Sequence, residues 1–249
     1  MKAKKLESGV FISDIHLPDS IDLKPIIAYV ADTKPEWIVL GGDIIDAEGF
    51  HASESMKAEQ VNLTWFKRDV NLAKEIITDL KKASPKAKVI YIEGNHEQRY
   101  RRLQRKYPDL FSDTLNFEGA MRPLVTVYIP YAMAESYFKI GDTVFIHGDI
   151  FPDSHAKPYA QRYSPNKVVY GHMHHFQAYT TYRALLNESP RYAVTAGCLS
   201  TLNPEWKQGR ANQWVNGFIS FVTDGEVTTP TVHLIERGRF AVGSKVYGA

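Results

Sequence analysis

Five short motifs carry side chains that could bind metal ions, and each motif follows a short apolar run. The motifs are Asp14-Ile15-His16, Gly42-Asp43-Ile44-Ile45-Asp46, Gly94-Asn95-His96-Glu97, His147-Gly148-Asp149 and Gly171-His172-Met173-His174. They offer carboxylates, imidazoles and one amide but no thiolate, which suits Mn²⁺, Fe, Zn²⁺ or Ni²⁺ better than a structural zinc site. The motifs supply more ligands than one ion needs. Two ions roughly 3.5–4 Å apart can bind the attacking and leaving oxygens of a phosphoryl displacement.

Each motif also has a plainer interpretation when it is considered by itself. Asp-x-His occurs often by chance, Gly-Asp after a strand commonly forms a turn, and one histidine is more often a hydrogen-bonded polar residue than a ligand. The combination is more informative, because five of the nine histidines lie inside these motifs. We therefore interpret the five motifs together as one metal site.

The elements that must position these motifs can be predicted from the apolar pattern. Strands are predicted over residues 10–12, 37–40, 89–92, 125–129, 137–140, 143–146, 168–170, 178–183, 191–195, 217–222 and 231–235, and helices over 24–31 and 59–82. This alternation indicates an α/β fold. Ligands bind at the carboxyl ends of the strands in open α/β sheets, so the five motifs are expected to meet in one pocket.

Composition places the chain among ordinary globular proteins. It has 249 residues, 44% of them hydrophobic and 23% charged, and a formal net charge of +2 that identifies no partner. We expect a single domain over residues 1–249, with a basic helical excursion around 98–120. The single cysteine, Cys198, excludes an internal disulfide. No apolar run approaches the roughly 20 residues of a membrane span, so a cytoplasmic protein without membrane association is expected.

The order of the motifs, D-x-H, G-D-x-x-D, G-N-H-E, H-G-D and G-H-x-H, resembles that of the calcineurin-like metallophosphoesterase superfamily. The match extends from Asp14 to His174. The resemblance implies two mixed β-sheets sandwiched between helices, with a dinuclear site at one edge. It also implies that the protein is a metal-dependent phosphoric ester hydrolase.

The resemblance further implies a role for each motif residue. Asp14, His16 and His174 would hold the first metal, Asn95, His147 and His172 the second, and Asp43 would bridge both. A hydroxide shared by the ions would be the nucleophile. His96 would protonate the leaving oxygen, and Asp46 would hydrogen-bond His96 and raise its pKa. Manganese is the first expectation for the two divalent ions, with iron, zinc or nickel as alternatives.

Departures from subfamily patterns bear on the substrate. The Ser/Thr protein phosphatases typically carry arginines at the positions of Ala47 and Glu93, and a glutamate beside the phosphate would repel a dianion. The lipid-A precursor hydrolases usually have arginine in place of His96. These differences favour a phosphodiesterase or nuclease acting on DNA or RNA. The alternative is a phosphomonoesterase for a phosphoprotein or a small metabolite; a non-catalytic binding module is disfavoured because no expected ligand is missing.

A basic stretch follows the third motif and could bind a nucleic-acid backbone. Its candidate substrate-binding residues are Arg99, Arg101, Arg102 and Arg105, and helical spacing would place the last three on one face. The alternative is a solvated helix whose arginines pair with acids such as Asp109 and Asp113. His51, after the second motif, could line the pocket or lie in a surface loop.

Overall fold

The computed structural model describes residues 5–50, 55–111, 116–132, 136–181 and 190–248. Its strands are β1 (Glu7–Ile12), β2 (Trp37–Leu40), β3 (Lys88–Ile92), β4 (Val127–Ile129), β5 (Tyr137–Ile140), β6 (Thr143–Ile146), β7 (Lys167–Tyr170), β8 (Phe176–Thr181), β9 (Arg191–Ala196), β10 (Asn216–Thr223), β11 (Thr228–Ile235), β12 (Phe240–Val242) and β13 (Lys245–Tyr247). Its α-helices are α1 (Lys24–Thr33), α2 (Leu63–Ala83), α3 (Asn95–Lys106), α4 (Phe117–Met121) and α5 (Ala156–Arg162). Each predicted strand overlaps one of these, whereas α5, β12 and β13 were not predicted.

The strands form two large mixed sheets and one small hairpin. The six-stranded sheet has the order β11-β10-β1-β2-β3-β4, and the five-stranded sheet has the order β5-β6-β7-β9-β8. Strands β1 to β4 are mutually parallel, as are β6, β7 and β9. The predicted α/β fold of two mixed sheets is confirmed.

The alternation of side chains along each strand builds the layers. On β1, Phe11 points into an apolar cluster between the two sheets, while Val10 and Ile12 point into the larger cluster beneath α1 and α2. Within the inter-sheet cluster the Phe145 ring lies 5.9 Å from Phe11 and 4.9 Å from Phe221, measured between centroids. Because successive strand residues face opposite sides, one strand can serve two cores.

Helix α2 follows the predicted apolar periodicity. Its buried residues recur at helical spacing and include Phe66, Val70, Ala73, Ile77 and Leu80. The helix begins after Asn62, whose side chain accepts a hydrogen bond from the Thr64 amide. This cap explains why α2 starts at Leu63 rather than at the predicted residue 59. In the described part of the chain, no helix is both long and apolar enough to cross a membrane.

In its described residues, 98–111 and 116–120, the basic segment packs against the core, so the expected excursion is not seen there. Tyr100 and Leu103 of α3 are fully buried in the main apolar cluster. The Tyr100 ring packs edge-on against Phe66, with 4.8 Å between the centroids. Tyr100 and Leu103 are spaced at i and i+3 and anchor the helix to the core. This apolar pair was not recognised in the sequence because arginines surround it.

An ion-pair cluster around the buried Glu93 joins the end of β3 to α3 and α4. Arg101 Nη2 lies 2.7 Å from Glu93 Oε1 and 2.9 Å from Glu118 Oε2. Glu93 is 1% exposed and also accepts hydrogen bonds from the Tyr128 hydroxyl and the Tyr131 amide. Arg101 therefore neutralises a carboxylate that would otherwise be buried without a cation.

This ion pair predicts that Arg101 contributes to stability rather than to substrate binding. Arg101→Gln should lower the free energy of unfolding by about 2–3 kcal/mol, because Glu93 would keep its burial and lose its cation. Arg105→Gln, at an exposed position of the same helix, should change it by less than about 0.5 kcal/mol. Chemical denaturation of both variants measures the difference, and equal stabilities would contradict the structural role.

Candidate metal centre

The five motifs converge at one edge of the molecule, where the two sheets meet. Asp14 and His16 follow β1, Asp43 follows β2 and Asn95 begins α3 directly after β3. The five-stranded sheet contributes His147 after β6, and His172 and His174 after β7. The seven predicted ligand residues therefore come from both sheets.

The loops that carry these residues turn sharply. Five of the seven residues adopt left-handed backbone conformations, with φ between 50° and 76°: Asp14, His16, Asp43, His172 and His174. Residues other than glycine rarely occupy this region, and each such residue costs roughly 1–2 kcal/mol. Hydrogen bonds between loops hold the turns: the amide of Asp14 donates to Gly42 O and that of His16 to Asp43 O, each at 3.0 Å.

Two motif glycines are required by close packing against acidic side chains. A methyl group on Gly94 would overlap the carboxylate and the backbone nitrogen of Asp43. A methyl group on Gly171 would overlap the carboxylate of Asp14. These glycines let neighbouring loops approach closely enough for their ligand atoms to meet.

The first group of ligand atoms belongs to Asp14, His16 and His174. His174 Nε2 lies 3.5 Å from Asp14 Oδ1 and 3.1 Å from His16 Nε2. His16 Nδ1 lies 2.9 Å from Asp46 Oδ1. Because this nitrogen donates its proton to Asp46, His16 Nε2 carries the lone pair that faces His174.

The second group belongs to Asp43, His147 and His172, with Asn95 alongside. His147 Nε2 lies 3.0 Å from Asn95 Oδ1, 3.3 Å from His172 Nδ1 and 3.3 Å from Asp43 Oδ2. His147 Nδ1 donates to the Gly41 carbonyl at 2.9 Å, so the neutral ring carries its lone pair on Nε2. When His147 is neutral, acceptor atoms of these residues therefore face one another.

The Asp43 carboxylate connects the two groups. Its Oδ2 lies 3.8 Å from His16 Nε2 in the first group and 3.3 Å from His147 Nε2 in the second. Facing lone pairs are unfavourable unless a proton or a cation lies between them. The donor set and its geometry fit two divalent cations that share Asp43.

Burial and charge perturb the histidines of both groups. Burial by itself would lower the pKa of His147, but the carboxylates of Asp43 and Asp14 raise this pKa to about 9. Burial likewise opposes protonation of His174, but its contact with Asp14 raises the pKa to about 10. Burial and the neighbouring His147 lower the pKa of His172 to about 4. Without cations, protons compensate the buried carboxylates.

His96 lies beside the ligand groups and faces the cleft. Its Nε2 is 3.7 Å from Asp43 Oδ2, and its Nδ1 is 2.5 Å from the Asp46 carbonyl oxygen and 3.4 Å from Asp46 Oδ1. Burial lowers the pKa of His96, but Asp43 and Asp46 outweigh this effect and the net shift is upward. Asp46 thus contacts both His16 and His96, although only the second contact was predicted.

Arg99 is the predicted arginine that reaches this region. Its Nη1 donates to the Asp46 carbonyl at 2.8 Å, and its Nη2 lies 3.1 Å from His96 Nε2. Arg101 instead pairs with Glu93 and Glu118, which supports the structural alternative for that residue. Arg102 and Arg105 are exposed and do not line the cleft.

Glu97 organises the Asp43 loop, a role that was not predicted from the sequence motifs. It is 1% exposed, and its carboxylate accepts hydrogen bonds from the amides of Asp43, Ile44 and Gly94 at 2.8–3.0 Å. The sequence signal was available, because a glutamate three residues after an N-cap residue commonly accepts a hydrogen bond from the N-cap amide, as Glu97 does from Gly94. Burial and the nearby Asp43 raise the pKa of Glu97.

A cleft of about 570 Å³ opens above the ligand groups. Its outer walls carry Asp19, Glu48, Arg99, Phe151, Ser200, Thr201, Pro204 and Trp214. Glu93 is not among the lining residues, so the expected repulsion of a dianion by this glutamate is wrong: the carboxylate is buried against Arg101 instead. His51 lies outside the described residues.

Comparison with known proteins assigns the family. The model of the calcineurin-like phosphoesterase family matches residues 10–176, and the chain belongs to this family. Membership supports metal-dependent hydrolysis of phosphoric esters with divalent ions. Curated protein sequences gave no match.

Solved structures with a similar fold share little sequence with this chain. Vacuolar protein sorting 29 from Cryptosporidium parvum is 14% identical, with a TM-score of 0.49 over 98% of this chain and 99% of that one. The Entamoeba histolytica counterpart complexed with Zn²⁺ is 11% identical, with a TM-score of 0.47 over 94% and 96%. A conserved uncharacterized protein of Streptococcus pneumoniae, a predicted phosphoesterase, is 14% identical, with a TM-score of 0.41 over 99% and 100%.

The raised pKa values of His147 and His174, about 9 and about 10, predict proton release on metal binding. Both imidazoles are protonated at pH 7.5 without metal, and each must lose its proton to donate a lone pair. Loading with Mn²⁺ should therefore release at least about two protons per chain, one from each of these imidazoles. Calorimetry in buffers of different ionisation enthalpy measures this number. Full metal binding without proton release would contradict the ligand assignment.

Proposed function

We propose that this protein is a dinuclear metal-dependent phosphodiesterase. Asp14, His16 and His174 would bind one ion, Asn95, His147 and His172 the other, and Asp43 would bridge them. The observation that carries the proposal is the set of acceptor atoms from both sheets that face one another across 3.0–3.8 Å around Asp43 Oδ2. Manganese is our first choice of metal, with iron, zinc and nickel as alternatives.

When bound, the two cations supply an activated water and neutralise charge on the phosphate. The protein's own side chains would complete the reaction. His96 is placed to give a proton to the leaving oxygen, because its Nδ1 is held by Asp46 and its ring lines the cleft beside Asp43. Arg99 adjoins His96 Nε2 and is placed to bind a phosphate oxygen.

The charges of the cleft support a diester over a monoester. Among the described lining residues Arg99 is the only arginine or lysine, whereas Asp19 and Glu48 add carboxylates outside the ligand groups. A monoester dianion would need more positive charge than a diester monoanion. We extend the proposal to nucleic-acid diesters of short length, since a long polyanion requires a row of cations. Preferential hydrolysis of p-nitrophenyl phosphate over its bis ester would favour the phosphomonoesterase alternative.

The bridging role of Asp43 predicts an unusually damaging substitution. Asp43→Asn should reduce bound Mn²⁺ from about two ions per chain to less than one, because both groups lose a shared charged ligand. Asp69→Asn is the matched control: Asp69 is a buried aspartate that bonds Tyr100 and Arg68 away from the cleft. Elemental analysis after gel filtration measures both variants. Two ions retained by Asp43→Asn would refute the bridge.

The proposed role of His96 predicts a dependence on the leaving group. His96→Ala should keep both ions and slow the hydrolysis of thymidylyl-thymidine by roughly 10²–10⁴-fold. Hydrolysis of bis-p-nitrophenyl phosphate should slow much less, because nitrophenolate leaves without a proton. Steady-state rates on both substrates, with metal content measured alongside, check this. Equal losses would show that His96 is not the acid.

A further inference from the structure

Phe151 is a large apolar side chain that is exposed to solvent at the cleft. It is 72% exposed, although it lines the cavity above the ligand groups. Its ring centroid lies 4.7 Å from that of His172, with 75° between the planes. This edge-on contact places the ring beside the second ligand group. An exposed aromatic ring in a ligand cleft is suited to stack on a planar partner.

Trp214 supplies a second ring near the first ligand group. Its centroid lies 4.2 Å from that of His174, with 59° between the planes. Lys207 Nζ lies 3.2 Å from the Trp214 ring centroid, a cation–π contact that restrains the indole. The backbone adds restraint, because the Val215 amide donates to the His174 carbonyl at 3.0 Å. Each aromatic ring is thus tied to one of the histidines of the last motif.

The remaining wall of the cleft combines apolar surface with neutral hydrogen-bonding groups. Pro204 lies with Trp214 on this wall, and Ser200 and Thr201 bring hydroxyl groups. The volume of about 570 Å³ exceeds what a phosphate occupies and falls within the range of small-molecule sites. The space beside the ligand groups therefore suits a planar group that has polar edges.

We propose that Phe151 and Trp214 form an aromatic subsite that binds the nucleobase of a short nucleoside phosphodiester. The inference rests on the proposed function only in placing the phosphate at the metal centre. The two rings would stack on the base, and the wall that carries hydroxyl groups would hydrogen-bond the polar edges of the base or the sugar. The carboxylates of Asp19 and Glu48 would favour a substrate with few phosphates.

Binding of adenosine 5′-monophosphate and of ribose 5-phosphate tests the subsite, since the two ligands differ only by the base. Calorimetric titration of Mn²⁺-saturated protein should show adenosine monophosphate binding about tenfold more tightly, the scale of one base–aromatic stack. Phe151→Leu should bring the two affinities close together, because it should weaken the binding of the nucleotide and leave the binding of ribose 5-phosphate unchanged. Phe151 is the residue to change because it is 72% exposed, whereas Trp214 is half-buried and packs against both His174 and Lys207.

Phe176→Leu is the matched control. Phe176 on β8 is 47% exposed and does not line the cleft, so this variant should keep the wild-type preference for the nucleotide. Equal affinities of the two ligands for the wild-type protein would overturn the subsite, and so would a Phe151→Leu variant that weakens both ligands equally. Melting temperatures of both variants verify folding.

A separate readout distinguishes the subsite from the proposed activity. Hydrolysis of bis-p-nitrophenyl phosphate reports the phosphodiesterase, while calorimetry needs no turnover. If the protein prefers the nucleotide but hydrolyses no diester, the subsite is supported and the proposed function is contradicted. If the protein hydrolyses the diester but binds both ligands equally, the proposed function is supported and the subsite is contradicted.

Discussion

The packing of the two sheets determines whether the metal centre can form. Asp14, His16, Asp43 and Asn95 belong to the six-stranded sheet, while the other three ligand candidates belong to the five-stranded sheet. Neither sheet carries a complete set of donors. The inter-sheet cluster around Phe11, Phe145 and Phe221 fixes the relative position of the sheets, and a small displacement there would separate the facing atoms, because close-packed cores transmit shifts rather than absorb them.

The local backbone of the site is held in unfavourable conformations by contacts from elsewhere. The left-handed turns at Asp14, His16 and Asp43 are secured by hydrogen bonds between adjacent loops. Glu97 adds a buried carboxylate that collects the amides of the Asp43 loop. Strain of this kind persists only where the surroundings over-determine it, and here it aims several side chains at one point.

Two arginines that are close together in the sequence lie in different surroundings. Arg99 and Arg101 are two residues apart on α3, yet Arg99 borders the cleft and Arg101 pairs with the buried Glu93 and the half-buried Glu118. Two residues along a helix correspond to about 200° of rotation, so the two arginines lie on nearly opposite faces. The outer cleft consequently keeps little positive charge, which limits the kind of phosphate ester that it suits.

The sequence by itself determined strands β1 to β11, the helix α2 and the strand-end positions of the five motifs, because apolar periodicity and turn residues are local signals. It did not reveal the partner of Glu93, the docking of α3 through Tyr100, the hold of Glu97 on the Asp43 loop, or the place of Phe151 in the cleft. Glu93 meets Tyr131, and Glu97 meets Asp43, across 38 and 54 residues of chain. The destination of a polar or aromatic side chain depends on which distant segment packs against it, and only the tertiary structure brings those segments together.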